Sequence, residues 1–153
     1  MTVRGVSILG ATGSVGLAAA DLVAGAPERF RTEAIAGGNN AKALAAVARR
    51  LKPRFVAIAN PDRYADLKLA CAGLDVEIAA GPEAVVEAAA RPAEIVVAAI
   101  VGVAGLAPTL AACRAGVTVA LANKEALVSA GDVVMGRAAS AGATILPVDS
   151  EHS

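Results

Sequence analysis

Aromatic residues are almost absent from this chain: its 153 residues hold no tryptophan, one tyrosine and two phenylalanines. Since 56 % of the residues are hydrophobic, the core must be assembled from Ala, Val, Leu and Ile. Such small side chains let helices lie close to a sheet, which suits layered α/β packing. A net charge is lacking as well. Lys plus Arg and Asp plus Glu both number 14, so no field draws the chain to nucleic acid or to an anionic membrane. No run of about 18 apolar residues occurs, because Pro, Gly, Lys and Glu punctuate every segment, and this excludes a membrane-spanning helix. Met1-Thr2-Val3-Arg4-Gly5-Val6 lacks the apolar stretch of a secretory signal. A soluble, cytoplasmic protein with neither nucleic-acid nor membrane partners is expected.

Cysteine and histidine are scarce too. Cys71 and Cys113 are too few for a zinc site, and a disulfide would be unusual in the cytoplasm. Each falls at helical spacing, with Tyr64 and Leu67 or with Leu106 and Leu110, and is read as a buried structural thiol. The one histidine, His152, reads as a bystander at a chain end.

What is present is a regular alternation. Seven β-rich runs recur: Val6–Gly10, Thr32–Ala36, Phe55–Ala59, Asp75–Ala79, Ile95–Ala99, Thr118–Leu121 and Thr144–Val148. Their apolar stretches are near-continuous, as in strands buried on both faces of a parallel sheet. Between them the pattern switches to a period of 3.6. Val15, Ala18, Ala19, Leu22 and Val23 make one stripe, ended by Gly25; Leu44, Val47, Ala48 and Leu51 make another, stopped by Pro53. Pro82 suits the first turn of a helix, and a long helix is predicted from about Lys124 to Ala141. The fold class is therefore α/β: a Rossmann-like, doubly wound, mostly parallel sheet of about seven strands with helices on both faces. Residues 1–147 form the dinucleotide-binding domain, and 148–153 begin a further, metal- and substrate-binding region.

Gly10-Ala11-Thr12-Gly13-Ser14-Val15-Gly16 follows the first strand and opens the first helix. Gly10 permits a tight turn, Gly13 lets backbone approach a pyrophosphate, and Gly16 lets helix pack on sheet. The helix N-terminus then offers N–H groups and partial positive charge to the phosphates, with Thr12 and Ser14 as hydroxyl donors. The second strand selects the cofactor. An NAD site usually presents Asp or Glu at its end, to hold the ribose 2′-hydroxyl. Here Ala34-Ile35-Ala36 runs into Gly37-Gly38-Asn39-Asn40 with no acid, Glu33 lying too early and Lys42 just beyond. NADP(H) is expected over NAD(H).

Two further segments lie at strand ends. Ala98-Ala99-Ile100-Val101-Gly102 follows the fifth strand, and Ala122-Asn123-Lys124-Glu125 the sixth, where it can anchor a nicotinamide ribose or a phosphorylated substrate, or simply cap a helix. Asp149 and Glu151 follow the seventh strand. Two carboxylates at i, i+2 suit Mg²⁺ or Mn²⁺, although a closed site needs another ligand from elsewhere.

Four strings together resemble the 1-deoxy-D-xylulose 5-phosphate reductoisomerase family: Ile8–Gly16, Ala99–Gly102, Leu121–Val128 and Leu146–His152, in that family's order and spacing. The resemblance implies an NADPH- and divalent-metal-dependent enzyme of non-mevalonate isoprenoid biosynthesis, acting on a phosphosugar and homodimeric when intact. It carries Thr12, Gly13, Ser14, Val15, Gly37, Gly38, Asn39, Asn123 and Glu125 to cofactor binding. It carries Lys124, Ser150 and Glu151 to the substrate, with Lys124 and Glu151 at the reacting centre, and Asp149 and Glu151 to the metal. Several members of that family have a basic residue where Gly38 stands, so the 2′-phosphate contact falls to backbone amides, Asn39 or a neighbour such as Lys42. The family also continues beyond the acid pair, and this sequence is read as its N-terminal portion. Two other readings compete. A semialdehyde dehydrogenase-like NADP domain would need a catalytic cysteine; a stand-alone nucleotide-binding or regulatory module would need none.

Overall fold

Strand β1 (Arg4–Leu9) runs through the middle of the molecule, five of its six residues buried. In the computed structural model, residues 2–122 and 124–148 are described, with 124–127 and 129 as backbone only. Among them, β1 is followed by β2 (Phe30–Gly37), β3 (Phe55–Ile58), β4 (Glu77–Ala80), β5 (Ile95–Ala98), β6 (Thr118–Leu121) and β7 (Thr144–Pro147). The sheet order is β4-β3-β2-β1-β5-β6-β7, and every pair is parallel. The chain winds outward from β1 in one direction, then returns to β1's other side at β5. That reversal opens a crevice at the strands' C-terminal ends, between the loops that follow β1 and β5.

Six helices cover the two faces. On one, α1 (Ser14–Ala24), α2 (Ala41–Leu51) and α3 (Tyr64–Ala70) pack on Val6, Ile8, Ile35, Val56 and Ile58. On the other, α4 (Pro82–Ala90), α5 (Leu106–Ala112) and α6 (Lys124–Ala141) pack on Leu9, Ala34, Ala36, Phe55, Ala57, Val96 and Val119. The second face is lined with alanines, and α4 answers with Ala84, Ala88 and Ala89, all buried. Small against small brings α4 close to the sheet, and the connection from edge strand β4 back to β5 carries it over β3, β2 and β1. The shortage of aromatics is thus matched by a core in which Phe55 is the single fully buried ring among the described residues.

The expected strands and helices are found, with strand ends shifted by up to two residues, and four points bear on the packing. All strand pairs are parallel, where only a mostly parallel sheet was expected. Strand β4 begins at Glu77 rather than Asp75, because it is an edge strand paired only with β3. In α1 the buried positions are Gly16, Ala20 and Val23, while Leu22 is 74 % exposed. The face was chosen by size, not hydropathy: a Cβ on Gly16 would meet the Gly10 carbonyl oxygen at 2.0 Å. Helix α6 covers Lys124–Ala141 as expected but is broken at Ala130 (φ −145°, ψ 28°), so it is two helices across a kink.

Both cysteines are buried, as expected. Desolvation pushes their thiols up from the ordinary value, against the pull of Arg49 on Cys71 and of Arg137 and Arg114 on Cys113.

Candidate functional site

The turn after β1 is held from two sides. The Gly10 and Ala11 amides both donate to the Ala36 carbonyl at 2.9 Å, tying the turn to β2. The Ala99 amide donates to Leu9's carbonyl, also at 2.9 Å, bringing the β5 loop against it. Gly10 sits at φ +82°, and a Cβ there would lie 2.5 Å from the Ala99 oxygen, so only glycine fits. Gly13 differs. Its backbone is extended (φ −82°, ψ 174°), and a Cβ would find nothing nearer than the Gly10 oxygen at 3.6 Å. The fold requires glycine at 10 and 16 but leaves open space over 13. A bare backbone facing such space is what a pyrophosphate needs for close approach.

Gly13 is also the N-cap of α1, and its carbonyl accepts the first helical bond, from Leu17 at 2.8 Å. The amides of the turn before Leu17, those of Ser14, Val15 and Gly16, therefore have no acceptor within the helix and present the positive end of its dipole.

Thr12, Gly13, Gly37 and Gly38 line a cavity of about 420 Å³ together with Gly10, Ala59 and Ala99. Its far wall is apolar: Pro82, Val85 and Val86 from α4, then Ile100, Val101, Ala104, Ala107 and Pro108. This wall was not foreseen from the sequence beyond the Ala98–Gly102 segment. Pro82 and Val85 are legible as helix start and helix stripe, but only the return from β4 to β5 puts that helix beside the glycine turn. Ser14 and Val15 lie just behind the cavity in the first turn of α1.

The loop after β2 is fastened to the loop after β3. The backbone amides of Ala59 and Asn60 donate to the Gly37 and Gly38 carbonyls (2.9 and 3.0 Å), and Asn60 Nδ2 donates to Asn39 Oδ1 at 2.7 Å. Asn40 caps α2, its Oδ1 accepting from the Ala43 amide at 2.9 Å. Asn39 lines a second, more open cavity of about 560 Å³ with Asn40, Ala41 and Lys42 on one side and Arg63, Asp66, Leu69 and Ala70 on the other. Glu33 is buried near the middle of β2, 3.8 Å from Arg54, and four residues before the strand's end. No carboxylate stands at the end of β2, where an NAD site usually presents one to the ribose.

The remaining expected site residues divide by position. Lys124 and Glu125 open α6, directly after β6 and on the same edge as the glycine turn. Asn123, Asp149, Ser150 and Glu151 lie outside the described residues. The segment leading to the acid pair is held beside β6, for the Val148 amide donates to Leu121's carbonyl at 2.9 Å. Among the described residues no group of three His, Cys, Asp or Glu gathers for a metal. Cys113 is buried at the end of α5, its thiol donating to the Thr109 carbonyl, and lines neither cavity. This removes the nucleophile that a semialdehyde dehydrogenase-like reading requires.

Residues 6–131 match the family model of 1-deoxy-D-xylulose 5-phosphate reductoisomerase. Curated relatives named as that enzyme include one from Bradyrhizobium sp. (strain BTAi1 / ATCC BAA-1182), 57 % identical over 151 residues, and one from Paracoccus denitrificans (strain Pd 1222), 59 % identical over 152. The alignments cover 99 % and 98 % of this chain but only 37 % and 39 % of the relatives. Among solved structures, the Zymomonas mobilis enzyme in complex with NADPH superposes with a TM-score of 0.94 at 50 % identity, covering 99 % of this chain and 40 % of that one. A complex of the enzyme with NADPH, fosmidomycin and magnesium superposes with a TM-score of 0.89 at 46 % identity, covering 98 % and 37 %. This chain spans less than half the length of its relatives.

Proposed function

Because the chain belongs to the 1-deoxy-D-xylulose 5-phosphate reductoisomerase family, we propose that it is the NADPH-binding portion of an enzyme that converts 1-deoxy-D-xylulose 5-phosphate to 2-C-methyl-D-erythritol 4-phosphate. The observation that carries this reading is the bare Gly13 backbone facing a cavity, in a turn whose other two glycines, Gly10 and Gly16, are demanded by the fold itself. Thr12, Gly13, Ser14 and Val15 hold the pyrophosphate at the start of α1, and Gly37, Gly38 and Asn39 the adenosine ribose. Asn123 and Glu125, which follow β6, hold the nicotinamide end.

Asp149 and Glu151 supply oxygen donors suited to Mg²⁺ or Mn²⁺, and Lys124 and Ser150 a cation and a hydroxyl for the phosphosugar. When bound, NADPH supplies the hydride and the divalent ion supplies Lewis acidity toward the substrate's oxygens. The chain's own part is to fix both against one crevice. The intact protein is cytoplasmic and homodimeric on this reading. No helix among the described residues is long and apolar enough to cross a membrane. Apolar side chains of α6 and β7 are left uncovered, among them Val128, Val133, Met135 and Leu146.

Equilibrium titration with both cofactors tests the reading. NADPH should bind at least about tenfold more tightly than NADH, the gap expected of one charge-assisted phosphate contact. Equal affinities, or tighter NADH, would remove NADPH from the proposal.

A further inference from the structure

We infer that Arg63, assisted by Lys42, is the cationic clamp that selects the cofactor's 2′-phosphate; this rests on the dinucleotide reading above. The two cavities meet at one peptide. Gly38 lines the apolar cavity beside the glycine turn, and Asn39, the next residue, lines the open one. Consecutive Cα atoms are about 3.8 Å apart, so a ligand running from Gly13 past Gly38 enters the second cavity at its ribose. Nothing lies within 4 Å of a Cβ on Gly38, so the space over that residue is open.

What waits there is cationic. Lys42 stands in the first turn of α2, exposed, and makes no ion pair among the described residues. Arg63 stands opposite, at the end of the 3-10 turn Pro61–Arg63. Its place is not loose. Asn60 accepts from the Asp62 amide at 2.9 Å to form that turn, and the same Asn60 donates to Asn39. The loop that presents Arg63 is thus fastened to the loop that receives the ribose. One guanidinium nitrogen meets Asp66 at 3.2 Å, which leaves the other donors of the fork for a phosphate.

Asp66 is the one acid lining this cavity, against two cations. The Arg63–Asp66 pair is about half exposed on both sides, and such a pair contributes little, so a doubly charged phosphate can compete for the fork. The side chain missing at Gly38 is therefore replaced from a neighbouring strand. A cation from the β3–α3 connection reaches the place that β2's own loop leaves empty.

The test is a titration of the 153-residue chain and its Arg63→Ala, Arg63→Lys and Lys42→Ala variants with NADPH, NADH, 2′,5′-ADP and ADP. Arg63→Ala should bind NADPH and 2′,5′-ADP about tenfold more weakly, and NADH and ADP within about twofold of wild type. Arg63→Lys should retain part of the preference, and Lys42→Ala should lose less than Arg63→Ala. Retained NADH and ADP binding also certifies that each variant is folded. An unchanged NADPH-to-NADH ratio in Arg63→Ala would overturn the clamp and leave the dinucleotide site standing. Parallel loss of NADH would make Arg63 a mere support of the loop, and also overturn it. A wild-type chain that binds neither dinucleotide would end the underlying reading, and the clamp with it.

Discussion

Three glycines in seven residues do two different kinds of work, and substitution separates them. At Gly16 a Cβ would overlap the Gly10 oxygen at 2.0 Å, and at Gly10 a left-handed φ adds to a 2.5 Å clash. At Gly13 the backbone is extended and the space is open. Gly13→Val should therefore fold, at a cost of about 1 kcal/mol as a poorer N-cap, yet show no measurable binding of NADPH or NADH. Gly16→Val should fail to fold, or melt far below wild type, before binding can be asked about. Thermal melts paired with cofactor titration decide it. A Gly13→Val protein with normal affinity would make all three glycines structural. The sequence already carried this turn, because glycine spacing between a strand and a helix has few other meanings. It did not carry Arg63. An arginine in a Pro-Asp-Arg turn looks like any solvated residue until β3's loop is seen tied to β2's.

At the scale of elements, the ends of α4 and α5 depend on one side chain. The Arg114 guanidinium donates to the carbonyls of Ala89 (2.6 Å), Arg91 (2.8 Å) and Ala111 (2.9 Å). Burial holds its pKa below the usual arginine value, only partly offset by Cys113. Replacing it leaves three carbonyls short of donors where water has limited access. Arg114→Ala should cost about 2 kcal/mol, or roughly 4–8 °C in thermal midpoint for a chain of this size. Because α4 supplies Pro82, Val85 and Val86 to the cavity wall, cofactor affinity should fall with stability. Chemical denaturation and titration of one preparation would show both; unchanged stability would mean that water replaces the guanidinium fully. Strand and helix existence was readable because fully buried strands and half-buried helices leave different periodicities. Their faces and ends were less readable. In α1 every position but Asp21 is apolar or small, so hydropathy could not say that Ala20, rather than Leu22, turns inward. The break at Ala130 is followed at once by Gly131, a mark too common inside helices to announce a kink by itself.

At the scale of the whole molecule, the described residues form one parallel sheet with a crevice at its strand ends. The aligned relatives extend well beyond this chain, and the acid pair that would hold a metal ion follows β7 with only two carboxylates. Supplied with NADPH, Mn²⁺ and 1-deoxy-D-xylulose 5-phosphate, the 153-residue chain should show no turnover, since reaction requires the substrate fixed against the nicotinamide. Substrate-dependent loss of NADPH absorbance above a no-enzyme control would show that the chain suffices. The family was legible from four short strings, all of them at the C-terminal ends of strands, where chemistry concentrates. The far wall of the site was not, because it is made by a long-range crossing that no local pattern records.

That crossing has a consequence for how the molecule is made. β1 is the first strand to leave the ribosome, yet one of its edges stays vacant until β5 arrives about ninety residues later. At ordinary synthesis speed the delay is roughly 5–20 s. During it, β1 and its glycine turn exist only as a border, with the backbone groups facing β5 unpaired. Because Gly10 abuts Ala99, the same docking that seals this border also completes the crevice. A nascent chain gains its cofactor site only when its sheet loses that open edge. Any dinucleotide that binds then favours the closed sheet by mass action, so ligand concentration in the cell acts as a folding condition as well as a reaction condition.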